Sequence, residues 1–312
     1  MISGEKLLKM KLNYTNMNIK FFVVESLVLN KPSIKSPEAR GPYTTQRTYV
    51  LPKNSTIVGT ILSVLYRKGI IKKSVDWSNI EDIEKHLKEL NIDFYGPFAI
   101  DKINKNIYID FFDSLIRIDA KTLESIVNKI KDSKDKKSLK KIIKSIKEEN
   151  KPLKNKISKI GIALRNDKKI VMEGYLYSQE ILMLDNMEIV IECLSDCNNI
   201  IQHINNEITR FGGKGRVVKI YTDNNDEKLW EKYDKNIGYA ILISDAILDI
   251  KKLDIENCNH PEEIPDKIKE NYGFKVIYGE LEYRSLGWDI NKNMLKPYYL
   301  MLKAGSLSLI HI

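Results

Sequence analysis

Six residues, Phe211-Gly212-Gly213-Lys214-Gly215-Arg216, constrain this chain more than any other stretch. They follow a segment in which Ile200, Ile201, Ile204 and Ile208 are spaced as one helix face, and they precede a β-branched run from Val217 to Tyr221. The predicted order is helix, glycines, strand. A phosphate-binding P-loop needs strand, glycines, helix and closes on Gly-Lys-Ser or Gly-Lys-Thr, whereas Arg216 follows Gly215 here. A dinucleotide fingerprint also needs its helix downstream. Nucleotide-cofactor readings are therefore weak, and no cofactor is expected. What survives is close backbone approach to an anion: glycines permit φ > 0 and expose main-chain N–H groups, while Lys214 and Arg216 supply charge. A left-handed helix end at Gly212 accounts for one glycine and poorly for three.

The elements around this stretch predict an α+β fold. From Ile170 the order is strand to Leu184, strand from Met187 to Leu194, helix, glycines, strand. Such alternation suggests ferredoxin-like units, the layout shared by RNA-recognition motifs. Further strands are predicted at 238–243, 274–281 and 300–310, with a helix near 264–270. At 312 residues two domains are the better prior. The boundaries drawn are 1–156 and 157–312, with elements allowed to exchange between the two units.

Ahead of the boundary, a strand at Ile19 to Leu29 leads into a long proline-punctuated loop, 30–54. Lys31, Lys35, Arg40, Arg47 and Lys53 stand there against the single acid Glu38, interleaved with Tyr43 and Tyr49. Cations for phosphates and rings for bases suit single-stranded RNA, although a solvated surface loop explains the stretch equally well. A helix follows to about Lys68, capped by Asn54 or Ser55, with Gly59 in its interior pointing to a close neighbouring backbone. Ile80 to Leu90 reads as a second helix and Ile92 to Asp110 as a hairpin turning at 102–106. The spacings of Leu123, Ile126, Val127, Ile130 and of Leu139, Ile142, Ile143, Ile146 predict two amphipathic helices, a lysine-rich insertion over 121–151.

Charge sharpens the contrast. The net charge is +9, and residues 129–159 hold 13 lysines against 4 acids, which is that entire excess. Residues 160–312 carry 19 basic and 24 acidic groups, so Lys214 and Arg216 stand out from an acidic half. No apolar run reaches membrane length and no signal-peptide pattern opens the chain, so a cytoplasmic protein with no membrane partner is expected. Three glutamines amid abundant lysine and isoleucine fit a thermophile or an A+T-rich genome alike.

Cys193, Cys197 and Cys258 are odd in number and scattered, which argues against a disulfide framework. A zinc site from these three with His260 lacks finger spacing, so buried thiols and no metal are expected. Of the four histidines, His203 lies nearest the glycines; none adjoins a recognisable nucleophile. Asp101, Asp110 and Asp113 are scattered acids, not a catalytic pattern, and no catalytic residue is assigned.

Four stretches together resemble the RAMP proteins of CRISPR-Cas effector complexes, most closely the third subunit of the type III-B Cmr complex. They are the first strand with its basic loop and helix entry Pro52-Lys53-Asn54-Ser55-Thr56-Ile57-Val58-Gly59; Ile160-Gly161-Ile162-Ala163-Leu164 running to Gly174-Tyr175-Leu176-Tyr177-Ser178-Gln179-Glu180; the glycine stretch; and Leu286-Gly287-Trp288-Asp289 with Lys296-Pro297 and Lys303-Ala304-Gly305-Ser306. Lys214 stands where an acid is common and Lys303 precedes Ala304 where proline is usual. The resemblance implies two RAMP units, binding of the 5′ repeat-derived tag of the crRNA, and contact with the large polymerase-like signature subunit and the first backbone RAMP subunit. Target RNA would be met only indirectly, and no nuclease activity is implied. The RNA-binding residues expected are Gly212, Gly213, Lys214, Gly215, Arg216, Arg40, Arg47, Lys53, Ser55, Thr56, Arg165, Lys168 and Lys169. Two alternatives stay open at this point: a guide-processing endoribonuclease and a bridging scaffold without RNA contact.

Overall fold

The computed structural model describes residues 17–29, 31, 45–72, 75–76, 79–131, 136–149, 156–164, 171–193, 197–212, 215–224, 239–253, 264–286, 288–289, 292 and 294–310. The chain runs β1 (Met17–Val23), β2 (Thr45–Gln46), α1 (Asn54–Arg67), α2 (Ile80–Glu89), β3 (Phe94–Asp101), β4 (Ile107–Asp110), β5 (Leu115–Ile118), α3 (Ala120–Lys131) and α4 (Lys136–Glu149). It continues through β6 (Lys156–Leu164), β7 (Val171–Leu182), β8 (Met187–Cys193), α5 (Asn198–Ile204), β9 (Ile208–Arg210), β10 (Val217–Asn224), β11 (Tyr239–Ile241), β12 (Ala246–Leu248), α6 (Ile250–Leu253) and α7 (Ile264–Tyr272). It closes with β13 (Phe274–Tyr278), β14 (Leu281–Ser285), β15 (Trp288–Asp289), β16 (Met294–Leu295), β17 (Tyr298–Leu302) and β18 (Leu307–Ile310). Helices and antiparallel sheets make a mixed α+β structure.

A seven-stranded sheet in the order β5-β4-β3-β8-β1-β10-β9, antiparallel throughout, forms the main frame. Strand β8 lies between β1 and β3, so one sheet draws strands from both sides of the 156/157 boundary. Side chains alternate across it. Ile19, Phe21, Ala99, Leu115, Ile189 and Val218 share a core with Ile57, Ile61, Leu62 and Leu65 of α1 and Ile200 and Ile204 of α5. Their sequence neighbours Phe98 and Ile116 point to the opposite side, where they pack with Ile126 and Ile130 of α3 and Leu139, Ile143 and Ile146 of α4. The lysine-rich stretch is thus a helical pair buried through its isoleucines.

Three local expectations change. The α1 N-cap is Lys53, extended at φ −80° with no side-chain cap bond, and the Asn54 amide instead donates to Ser244 Oγ at 3.0 Å. Gly59 has nothing within 4 Å of where a Cβ would stand, so no backbone crosses there. Helix α5 ends at Ile204, and Asn206 at φ 61° turns the chain into β9, leaving Ile208 61% exposed as an edge-strand residue. The helical spacing of Ile208 was a coincidence of period.

The last third departs from prediction where predicted strand 300–310 breaks in two, whereas predicted strand 238–243 is the single short β11. Strands β11, β18 and β13 make one sheet, and β12, β17 and β14 another. Predicted strand 300–310 becomes β17 and β18, separated at Lys303-Ala304-Gly305-Ser306, and each half pairs in its own sheet. Gly305 sits at φ 91°, and a Cβ there would stand 2.8 Å from the Phe112 backbone nitrogen. Phe112 N–H donates to the Ala304 carbonyl at 3.2 Å, so this corner joins the last third to the end of β4. Only glycine fits a corner that is both left-handed and pressed against another backbone.

Candidate nucleic-acid interface

The glycine stretch is the tip of a hairpin, not a helix-to-strand loop. Strand β9 pairs with β10 with Arg210 opposite Val217, and Phe211 N–H donates to the Arg216 carbonyl at 2.8 Å, closing the turn. Gly212 and Gly215 adopt φ 72° and 66°. These values require left-handed backbone, which is why glycine stands at both. Phe211 is buried, with its ring 5.3 Å from Phe21. Gly213 and Lys214 lie outside the described residues. The Arg216 guanidinium donates through Nη1 to Glu25 Oε2 at 3.0 Å, and its Nε is buried without a hydrogen-bond partner.

Three separate segments root on one strip, Leu27 to Leu29. A Cβ on Gly212 would meet the Val28 carbonyl oxygen at 3.0 Å and Leu29 Cδ2 at 3.1 Å. Leu27 exchanges backbone hydrogen bonds of 2.9 Å with Leu182 at the end of β7. Tyr49 N–H donates to the Leu29 carbonyl at 2.8 Å and Lys31 N–H to the Arg47 carbonyl at 2.9 Å, closing the neck of the basic loop. The glycine hairpin, the neck of the 30–54 loop and the base of the β6–β7 hairpin therefore converge. Arg47 is exposed at that neck. Arg40, Arg165, Lys168 and Lys169 lie outside the described residues. Ser55 and Thr56 occupy the first turn of α1, half-buried, and the Thr56 carbonyl accepts from Thr60 Oγ1 at 2.8 Å.

Lys53 requires a correction. Expected to face RNA, its ammonium instead sits 3.0 Å from Asp110 Oδ2 and 3.2 Å from Asp245 Oδ2, with its side chain 15% exposed. It also lies 4.4 Å from the centre of the Tyr49 ring. Burial works against the Lys53 charge, but Asp110 and Asp245 outweigh it and hold the ammonium above its ordinary range. Arg284, buried on β14, pairs with Asp245 and donates to the Tyr49 hydroxyl at 3.0 Å. Burial pushes Tyr49 up to about 12, against the pull of Arg284 and Lys53. Beside this network Asp113 takes Lys31 at 2.7 Å and Lys303 at 3.2 Å, and Lys303 also reaches Glu280 at 2.8 Å. A cavity of about 220 Å³ opens there, lined by Lys31, Tyr49, Asp113, Glu280, Glu282 and Lys303.

Sequence reading missed this network because its members are far apart in the chain. Arg284 carried no local signal either, since it lies beyond predicted strand 274–281 and only its burial in the fold demands a partner. Asp110 and Asp113, considered as catalytic acids, are structural partners of lysines, and Asp101 accepts from Ile103 N–H at 2.8 Å in its own turn. His203 is half-buried beside Gln202, and His86 is buried with Nδ1 2.8 Å from the Asp82 carbonyl oxygen. Cys193 and Cys197, expected as buried thiols, are both buried and stand next to each other between the end of β8 and the start of α5. Cys258 and His260 lie outside the described residues. Among the described residues no group of three or more histidines, cysteines or acids could hold a metal, and no helix is long and apolar enough to cross a membrane.

No family model matches the sequence. A curated protein from Saccharolobus solfataricus, the CRISPR system CMR subunit Cmr3, is 24% identical over 288 residues, covering 91% of this chain and 83% of that protein. Among solved structures, a chain of the type III-B Cmr-beta complex bound to cognate target RNA and AMPPnP matches with a TM-score of 0.65 at 23% identity, over 94% of this chain and 86% of that one. A chain of the same complex bound to cognate target RNA matches with the same score and coverage. Over nearly its whole length the chain is similar in sequence to a Cmr3 subunit and in fold to a chain of the type III-B Cmr-beta complex, in line with the resemblance its own four stretches carry.

Proposed function

We propose that the chain is a non-catalytic guide-RNA-binding subunit of a cytoplasmic type III-B CRISPR-Cas effector complex. It holds the 5′ repeat-derived tag of the crRNA, contacts the large signature subunit and the first backbone subunit, and meets target RNA only indirectly. The observation that supports this best is the convergence of the glycine hairpin, the neck of the basic loop and the base of the β6–β7 hairpin on Leu27 to Leu29. The RNA-binding set is then Gly212 to Arg216 with Arg40, Arg47, Arg165, Lys168 and Lys169, and with Ser55 and Thr56 at the mouth of α1; Lys53 leaves it.

In this reading the four strands β1, β3, β8 and β10, with α1 and α5 as their crossovers, are one ferredoxin-like unit of neighbour order second-third-first-fourth. The helical pair α3–α4 is inserted between its second and third strands, and the bent strands after residue 238 belong to the second unit. Titrating tagged guide RNA with a Lys214→Ala/Arg216→Ala variant tests the RNA reading. Affinity should fall, and the log–log salt slope should drop by about 0.7 for each phosphate that the variant no longer neutralises. Unchanged affinity and slope in the folded variant would refute it.

A further inference from the structure

The face of the main sheet that carries α3 and α4 continues across β8 to β1 and β10. There β1 and β10 present Lys20, Phe22, Lys219 and Tyr221, all half-buried, opposite to the core-facing Ile19, Phe21, Val218 and Ile220. The antiparallel register puts Phe22 beside Lys219 and Lys20 beside Tyr221. The two rings are therefore diagonal neighbours, roughly 7–8 Å apart, enough for each to take its own base. Lys219 Nζ lies 4.7 Å from the Tyr221 ring centre, and Lys102, from the β3–β4 turn, lies 4.3 Å from that of Phe22. Lys20 is neutralised by Asp223 at 2.7 Å, and Glu188 of β8 points to the same side. Lys102 and Lys219, in contrast, make no salt bridge among the described residues, so their charge is available to a ligand.

The position matters as much as the composition. Strand β10 starts at Val217, the residue after Arg216, and Glu25, which holds Arg216, lies just past the end of β1. Tyr221 is five residues beyond Arg216 along an extended strand, about 17 Å. We infer that this face is a second, base-stacking subsite for single-stranded RNA, continuous with the glycine hairpin. Bases stack on Phe22 and Tyr221, and the Lys102 and Lys219 ammonium groups shift from the rings to the flanking phosphates. Rings with unpaired lysines select a nucleic-acid strand over a protein, since every base offers a π-face and every link a charge. The inference rests on the RNA-binding reading above and adds a site to it.

The test uses the full chain and two 12-nucleotide probes, oligouridylate and its abasic analogue, followed by fluorescence anisotropy. Phe22→Leu with Tyr221→Leu keeps apolar side chains under the lysines, so the sheet stays packed while both π-faces are removed. Oligouridylate should then bind at least tenfold more weakly and the abasic strand as before. Lys219→Ala should lower the salt slope by about 0.7. Unchanged oligouridylate affinity in the folded double variant would overturn the subsite. If Arg216→Ala weakens binding while the ring variant does not, the hairpin reading stands and the subsite falls. If the wild-type chain binds neither probe, both fall.

Discussion

Replacing Lys53 by Met separates an internal strut from an RNA contact. The ammonium lies 3.0 Å from Asp110 and 3.2 Å from Asp245, whose side chains are 5% and 6% exposed. At an effective dielectric of about 20, each ion pair is worth about 5 kcal/mol of Coulomb energy. Desolvation of the ammonium and repulsion from Arg284 offset much of that. The larger effect is what Met leaves behind. Asp245 keeps Arg284 and the Ala304 N–H at 2.9 Å, whereas Asp110 keeps the Asp113 N–H at 2.8 Å and loses its cation. Removing one partner of a buried pair costs about 3–5 kcal/mol. With a urea m-value of about 3 kcal/mol/M, the unfolding midpoint should fall by roughly 1–1.7 M. Adding Asp110→Asn removes the stranded charge and should restore at least about 2 kcal/mol, a coupling that a double-mutant cycle in urea reads directly. The salt slope of RNA binding, measured well below the midpoint, should stay at its wild-type value. A Lys53→Met protein within about 0.5 kcal/mol of wild type would refute the reasoning, as would one that keeps its stability and neutralises one phosphate fewer.

Gly305→Ala should destabilise by about 2–4 kcal/mol, since it combines a left-handed φ with a Cβ 2.8 Å from the Phe112 nitrogen; calorimetry checks it. Gly59→Ala should do the reverse and add about 0.5–1 kcal/mol, because its Cβ meets nothing within 4 Å and the helix gains propensity. Acid titration should expose Asp113 and Asp245. Burial alone would raise both, but Lys31 and Lys303 hold Asp113, and Lys53 and Arg284 hold Asp245, below the ordinary carboxylate value of 3.8. Groups depressed in the folded state lend stability that is complete above their unfolded value and lost as pH falls through the folded one. Urea midpoints should therefore be level from pH 7 to about 5 and drop below about 4, and the drop should shrink in Asp113→Asn.

Element types were largely legible in the sequence because they follow from local periodicity. The lysine-rich isoleucine faces became α3 and α4, and the 92–110 hairpin turned where its polar residues stand. The special backbone need of the glycine stretch was equally visible, since three glycines in four residues have few other uses. What period alone could not decide was Ile208. Its spacing from Ile204 suits a helix, yet Asn205 and Asn206 turn the chain and β10 supplies a hydrogen-bonding edge, so pairing won over propensity.

Partnership was decided by the tertiary structure. Which strands neighbour β8, where predicted strand 300–310 breaks, and whether Lys53 faces solvent all depend on residues scores or hundreds of positions apart coming together. Cations in a loop look alike in a sequence; only the fold shows that Lys53 meets two carboxylates while Arg216 meets a single exposed one. The sequence by itself determined where the backbone must be permissive, because φ > 0 is a property of one residue. The fold decided which charges remain for a ligand, because neutralisation is a property of pairs.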